Sequence, residues 1–502
     1  MTTPGLTNYP LYRLRFIASY LLLGLALGCM LVLAMLYAPG GLDASEQQSA
    51  LTSAAMSLGE PRSFFIVDAP YHFLQKISIT SLGLSSVSIK LPSVLLAGLS
   101  AIGMLVVCRR WFKPNVSIIT TAIVATSAPF LYVAQHGTPM VMHIFWPITI
   151  LLLASFAKQR TKLTTAALIL LAASLGLCLF TPLSGIMLLA IAIGGLLHPY
   201  VRYVIHKRIA ATTLATVLLV AGLGALPFLY MGVANPSALW TVVLGNPAPL
   251  SELAQQASTT ALRLGDFTGR SLAANGSLTP VFALSSIALA LVGLVRLIKE
   301  HHTTQSFITL TWLVLLVPAV LLTSNYVELL LVPFMILIAS GVQFVLWYWY
   351  RLFPQNPYAR AFALLPLAVL LGGIMLVSAT RYFYSYTHSP VLNKDITHDL
   401  ALIDTTLTTY HNQSPALVVA PDERSFYQLY LKLRHDKPLT PPLVTITKAN
   451  LAQERKSRTI IATRQSPAAQ SGQRPSQIIA SQQGQQPSDR LYIFRRIEPK
   501  QR

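Results

Sequence analysis

The sequence predicts an α-helical polytopic membrane protein with a small extracytoplasmic α/β domain at its C-terminal end. Three observations carry that expectation: apolar runs long enough to cross hydrocarbon, a one-sided distribution of basic residues, and an abrupt change of texture near residue 386. Hydrophobic residues make up 53% of the 502 positions and charged residues only 11%, with mean hydropathy +0.57. A soluble globular domain carries about 25% charged residues, so that class is excluded.

Runs of about 20 apolar residues, enough to span about 30 Å of hydrocarbon, recur from Phe16 to Met375. Hydropathy places about eleven spans, near 16–38, 91–108, 115–134, 140–157, 163–180, 183–199, 209–231, 278–295, 306–323, 327–348 and 361–379. The first, FIASYLLLGLALGCMLVLAMLYA, exceeds a signal-peptide core and lacks a small-residue cleavage site, so it reads as a retained helix.

The net charge of +20 would suggest a nucleic-acid partner on a soluble domain. Its distribution points to a bilayer instead, and no nucleic acid is expected. Loops on one side carry Arg13, Arg15, Arg109, Arg110, Lys113, Lys158, Arg160, Lys162, Arg202, Lys207, Arg208, Arg296, Lys299, Arg351 and Arg360, with Glu300 as their acid. The opposite loops hold Asp43, Glu46, Glu60, Asp68, Glu252, Asp266 and Glu328. By the positive-inside rule the N-terminus is cytoplasmic, and an odd number of spans puts the C-terminal domain outside a cell membrane. Cys29, Cys108 and Cys178 fall in or beside apolar runs and read as packing thiols, not a disulfide framework.

Two parts follow: a bundle over 1–385 and an α/β domain over 386–502. Within the bundle, the outer loop 39–90 is too long for a plain connection. Two helices are expected there, 45–58 with Ser45 as N-cap and 70–83 opening on Pro70, both lying at the membrane surface. In the second, Tyr71, Leu74, Ile77 and Ile79 form a loose apolar stripe, and His72 and Lys76 stand one turn apart. A second long outer loop, 232–277, holds a helix at 251–264. In the C-terminal part, 416–420, 443–447, 459–463, 476–480 and 491–497 read as strands. Residues 423–435 read as a helix with Phe426, Leu429, Tyr430 and Leu433 on one face. The clusters WYWY (347–350) and RYFYSY (381–386) read as aromatic interface belts. Walker, dinucleotide-binding, HExxH and CxxC motifs are absent, so transport driven by nucleotide hydrolysis is not expected; of cofactors, a divalent cation alone stays open.

The acids Asp43 and Glu46, in GLDASEQQSA, sit just past the first span. A helix starting at 44–46 would welcome either as a cap, and a carboxylate at the mouth of a bundle would equally suit proton transfer. Asp68 has the same capping alternative, and His136 reads as a polar turn residue unless a site claims it.

Residues 68–112, DAPYHFLQKISITSLGLSSVSIKLPSVLLAGLSAIGMLVVCRRWF, contain Pro70-Tyr71, then Leu82-Gly83-Leu84, then Lys90-Leu91-Pro92-Ser93 and the basic turn RRWF. With APFLYVAQHGTPMVM (128–142), this order and spacing resembles the bacterial GT-C glycosyltransferases related to protein O-mannosyltransferases and aminoarabinose transferases. The resemblance covers about residues 10–160 closely and the rest in layout. It implies an integral membrane glycosyltransferase that moves a sugar from a polyprenyl-phosphate donor to an envelope glycan, lipid or protein on the external face, with inversion. It also implies an acid at the start of the first outer loop that acts on the acceptor. Asp43 matches that acid, and Glu46 is a second acid at a shifted spacing, Asp-Ala-Ser-Glu standing where the family has an adjacent pair.

With Asp43 as base, Glu46 would position the acceptor or a divalent cation. Lys76 and Arg270 are favoured among the outer cations Lys76, Lys90, Arg263 and Arg270 for the donor phosphate, assisted by His72. Asp68, Tyr71 and His136 complete the expected substrate-binding set. The rival expectation is a GT-C-like protein without turnover, binding a lipid-linked glycan or scaffolding an envelope complex.

Overall fold

A computed structural model describes residues 10–496, apart from 39, 58, 157–161, 205–206, 208–210, 247–248, 250, 266–277, 279, 324–325, 353–356, 390, 393–395, 398, 411–414, 434–443, 445–450, 456 and 481–489. The first membrane helix, α1 (Pro10–Tyr37), leads into two helices of the long loop 39–90, α2 (Ala44–Ala55) and α3 (Ala69–Leu82). The chain re-enters the bundle through α4 (Ser86–Trp111), α5 (Pro114–Ala125), α6 (Ala128–Gln135) and α7 (Met142–Phe156). Helices at Lys162–Cys178, Ser184–Leu197, Ala211–Ala234, Leu284–Lys299, Thr304–Thr323, Leu331–Leu352 and Pro357–His388 complete it.

Each of the expected spans therefore meets helical structure. Among the described residues seven helices are long and apolar enough to cross a membrane, or eight if α5 and α6 form one bent span. The 115–134 stretch is not one straight helix: α5 and α6 meet at 64°. Pro129 explains the break, since its ring would collide with the carbonyl four residues back, at Ala125, where α5 ends. The bend delivers Gln135, His136, Gly137 and Thr138 beside the start of α2.

Local sequence fixes the outer layer. Asp43, not Ser45, is the N-cap of α2: its carboxylate accepts from the Glu46 amide while the Glu46 side chain accepts from the Asp43 amide, a complete capping box. Gly83 closes α3 at φ 75°, a left-handed conformation that suits glycine. Ser85 and Ser88 cap α4 reciprocally.

The buried face of α3 differs from the expected stripe. Tyr71, His72, Gln75, Ser78 and Ile79 point inward, whereas Phe73, Leu74 and Ile77 are exposed. The helix is polar inside and apolar outside, the orientation favoured where lipid lies on the outer flank. Cys108 and Cys178 are buried as expected of packing thiols, while Cys29 is exposed.

The C-terminal part forms a four-stranded mixed sheet from β1 (Ala416–Val418), β2 (Ile460–Thr463), β3 (Gln477–Ala480) and β4 (Arg490–Phe494), in the order β1-β2-β4-β3. β1 runs parallel to β2, with Ala416 opposite Ile460; β4 is antiparallel to both neighbours, with Phe494 opposite Ile460 and Ile493 opposite Gln477. The expected strand at 443–447 lies almost wholly outside the described residues. Helix Arg424–Leu433 buries Phe426, Tyr427, Tyr430 and Leu431, so Leu433 is not on its core face. One apolar cluster joins the domain to the outer loop, packing Leu42, Ala50, Ile79 and Ile89 against Ile403, Leu407, Leu417 and Phe426. Leu42 also exchanges backbone hydrogen bonds with Thr397. The domain therefore rests directly on the layer that holds Asp43 and Glu46.

Candidate active site

The capping box brings Asp43 and Glu46 together, but their environments differ. Asp43 stands at the rim with 24% of its side chain exposed, whereas Glu46 is 2% exposed. Asp43 Oδ2 lies 2.9 Å from His136 Nε2, and Oδ1 accepts from the Glu46 amide and the Ser45 hydroxyl, each at 2.8 Å. Burial alone would raise the Asp43 carboxyl. The charge and hydrogen bond of His136, with the hydrogen bonds from the Glu46 amide and the Ser45 hydroxyl, overcome it and hold Asp43 well below the usual carboxylate range. Asp43 is ionised at neutral pH. Burial opposes a charge on His136, but Asp43 and Glu46 outweigh it and move the imidazole above its ordinary value of 6.5. Its other nitrogen, Nδ1, is 2.7 Å from Thr138 Oγ1, so both ring nitrogens are engaged.

Beneath the rim is a buried polar floor. Glu46 Oε1 accepts from the Gly137 amide at 2.6 Å and lies 3.5 Å from Lys90 Nζ. Lys90, with no exposed surface, donates to Gln135 Oε1 at 2.8 Å. A Cβ at position 137 would approach Ile89 Cγ2 to 2.8 Å and Glu46 Oε1 to 3.2 Å, so glycine lets this backbone close on the carboxylate. Gln75 donates to the carbonyls of Ile89 and Gly137 and accepts from the hydroxyls of Ser49 and Ser53, tying α2, α3, α4 and the 135–138 turn together. Tyr71, bonded to Ser93 at 2.7 Å, adds a second α3–α4 link.

Of the other expected site residues, His72, Lys76 and Asp68 form no ion pair with either acid. His72 Nδ1 contacts Ser53 Oγ at 2.8 Å, and burial pulls its imidazole down to about 4, leaving it neutral between α2 and α3. Lys76 Nζ sits 3.4 Å from the Ala54 carbonyl, at the negative end of α2. Asp68 holds the N-cap position of α3 but makes no capping hydrogen bond; its backbone is left-handed at φ 55°, and its amide donates to the Phe180 carbonyl. Its Oδ1 is buried without a hydrogen-bond partner, and burial pushes the carboxyl up to about 8. Arg270 lies outside the described residues.

Sequence reasoning passed over Lys90 as the cation that meets the acids. Its signal was the Lys-Leu-Pro-Ser run: a lysine entering an apolar helix needs a partner. Gln75 gave no signal. Two tyrosines of the 381–386 cluster are not belt residues. Tyr382 is buried and donates to the Ala38 carbonyl, and Tyr386 is buried and stacks on Tyr132, which packs on His136 at 5.0 Å; Tyr384 alone is well exposed.

Asp43, Glu46 and His136 each bring one ligand-type atom within 4.8 Å of the others. The set does not fit a divalent cation as it stands. His136 is hydrogen-bonded directly to Asp43, and the Glu46 oxygen faces an ammonium and an amide proton.

The fold that carries this carboxylate, a helical bundle with a small C-terminal α/β domain, is matched among solved structures. ArnT from Cupriavidus metallidurans bound to undecaprenyl phosphate superposes with a TM-score of 0.53 at 12% identity, covering 94% of this chain and 97% of that one. The archaeal oligosaccharyltransferase AglB from Archaeoglobus fulgidus, in complex with an inhibitory peptide and a dolichol-phosphate, gives 0.51 at 11% identity over 91% of this chain and 70% of that one. A family profile described as dolichyl-phosphate-mannose-protein mannosyltransferase matches residues 70–228. The chain has the GT-C fold. Comparison with curated protein sequences finds none that matches. Within the GT-C frame, the profile match begins at Pro70, at the start of α3, and runs through the polar floor and the broken α5–α6 pair.

Proposed function

We propose that the protein is an inverting GT-C membrane glycosyltransferase that moves a sugar from a polyprenyl-phosphate donor to an envelope glycan, lipid or protein on the external face, with Asp43 as base. The observation that carries this reading is the division between the two acids. Glu46 is buried and spent on Lys90 and the Gly137 amide, whereas the Asp43 carboxylate is ionised, oriented by His136 and open at the rim. The lipid-bound ligands named for ArnT and AglB support a lipid-phosphate donor.

In the transfer, the acceptor oxygen attacks the anomeric carbon as the bond from that carbon to the phosphate oxygen breaks. The electron pair leaves with the polyprenyl phosphate, and the acceptor proton passes to Asp43. A carboxylate of low basicity suits a late proton transfer, because the attacking hydroxyl becomes strongly acidic only as its new bond forms. His136 holds the carboxylate in orientation, and Lys76 with Arg270 are assigned to the donor phosphate. The N-terminus is assigned to the cytoplasm and the C-terminal domain to the outer side by the charge asymmetry of the loops.

The complete capping box favours the second reading, a GT-C-like protein that binds a lipid-linked glycan without turnover, because capping accounts for both acids. Reconstituted wild type, Asp43→Asn and Glu46→Gln, assayed with a panel of labelled polyprenyl-phosphate sugars and envelope acceptor, separate the two. Transfer by wild type that falls about 10²–10⁴-fold in folded Asp43→Asn is the expected result. Donor binding with no transfer from any donor would favour the second reading, and full activity of Asp43→Asn would remove Asp43 from the mechanism.

A further inference from the structure

At the far end of the bundle from Asp43 is a cleft that the transfer reaction does not use. α4 has 26 residues, and the helical rise of about 1.5 Å per residue separates its two ends by about 39 Å. Lys90 lies near the acid pair at one end, and Lys113 follows the other. Lys113 and α5, the last turns of Leu284–Lys299 and the last turns of Leu331–Leu352 enclose about 580 Å³.

The sequence explains why the cleft opens there. Helices Leu284–Lys299 and Leu331–Leu352 meet backbone to backbone, where a Cβ on Gly293 would fall 1.9 Å from the Leu337 carbonyl oxygen and one on Gly341 2.1 Å from that of Leu289. Beyond that crossing, the residues turned toward the gap are large: Phe344, Trp347 and Tyr350 from one helix and Arg296 and Lys299 from the other.

The cleft's chemistry is specific. Lys113, Arg296 and Lys299 supply three cations against one acid, Glu300, which is paired with Arg296 at 3.0 Å. Lys113 and Lys299 are exposed, and no carboxylate lies within ion-pair distance of either among the described residues. Val295, Phe344 and Trp347 continue the cleft outward as exposed apolar surface, and Arg351 stacks over Trp347 at 5.5 Å.

We propose that this cleft binds the phosphate headgroup of an anionic phospholipid from the adjoining leaflet. The phosphate is held by Lys113 and Lys299, and the acyl chains run along Val295, Phe344 and Trp347. Basic pockets between membrane helices take anionic headgroups, and tryptophan and tyrosine favour the same depth. A soluble phosphate would use the cations and leave the apolar flank without a role, so the lipid is the better match. The site is independent of sugar transfer.

The test is native mass spectrometry of the full chain, released from nanodiscs of phosphatidylcholine with phosphatidylglycerol. Wild type should retain phosphatidylglycerol in preference to phosphatidylcholine. Lys113→Ala/Lys299→Ala should lower that retention about thirtyfold, from the contribution of two basic residues at an anionic surface. A photoactivatable phosphatidylglycerol should label wild type within residues 340–352, an arm that needs no variant. Equal retention of the two lipids, undiminished retention by the folded double variant, labelling elsewhere, or displacement of the lipid by inorganic phosphate at equal affinity would each overturn the proposal.

Discussion

The outer polar layer and the helix Ala211–Ala234 both belong to the bundle, yet they are held in opposite ways. Around Asp43 the chain buries Glu46, Gln75, Lys90, Gln135 and His136 and ties each of them to a polar group of the same layer. The helix Ala211–Ala234 buries only Met231 among its residues, and meets Lys162–Cys178 by glycine on glycine, where a Cβ on Gly224 would lie 3.0 Å from the Gly176 Cα. Hydrocarbon is as apolar as leucine, so a lipid-facing helix gains little from larger apolar side chains and more from close backbone approach. The polar layer has no such substitute: a partner removed there leaves a charge or carbonyl that neither lipid nor water can reach. Directional bonds hold geometry, so the acids stand where the bonding is densest.

The sharpest way to break that contrast is Lys90→Met. The side chain has no exposed surface, and its loss would strand Glu46 and leave Gln135 without its donor. Breaking a buried pair from one side costs about 3–5 kcal/mol, so a large drop in thermal stability in micelles is expected. Lys90→Met/Glu46→Gln should recover part of the loss, because no uncompensated charge then remains. A single variant as stable as wild type would mean the floor does not depend on this pair.

The same contrast marks what could be read from residues alone. Membrane segments were legible because the need to bury backbone polar groups in helices writes itself as long apolar runs. The acids at 43 and 46 were legible from their place past the first span, though not which of them would be buried. That depended on Gly137 and Lys90, which are 91 and 44 positions from Glu46, and on the bend at Pro129 that brings the 135–138 turn across. From its sequence Asp43 suits both a cap and a reactive group, and the structure gives it the capping bond and the open rim together. The inward face of α3 was misread because apolar periodicity marks a buried face only when the other side is water. Here Leu74 and Ile77 lie on the outside of a helix whose inside is polar. The short strands were legible as β-branched runs, whereas their order, with β4 between β2 and β3, follows from pairings between distant segments.

A change of pH probes the polar layer next. Asp43 is depressed, so its contribution is present above its ordinary value of 3.8 and is lost as pH falls through the lower folded value. His136 is raised, so its contribution is full below 6.5 and fades as pH climbs through the higher folded value. Between those limits the ion pair is intact. The stability difference between wild type and His136→Gln, followed by thermal unfolding from pH 5 to pH 9, should therefore be largest at the acidic end and shrink toward the alkaline end. A difference that stays flat would mean His136 acts as a neutral hydrogen-bonding group and not as a charge.

The weakest effect should come from the opposite region. Leu219 is 63% exposed on the helix Ala211–Ala234, at a height where its neighbours would be lipid tails. Leu219→Ala leaves hydrocarbon against hydrocarbon, so its effect should stay within about 0.5 kcal/mol, as for substitutions away from packed features. The value of measuring it lies in the alternative. A loss several times larger would mean that this face is covered by protein rather than lipid, and the helix would then belong to an interface between chains. In that case the burial of Met231 alone along Ala211–Ala234 would describe an isolated chain, and the contrast with the polar layer would narrow from two principles of assembly to one.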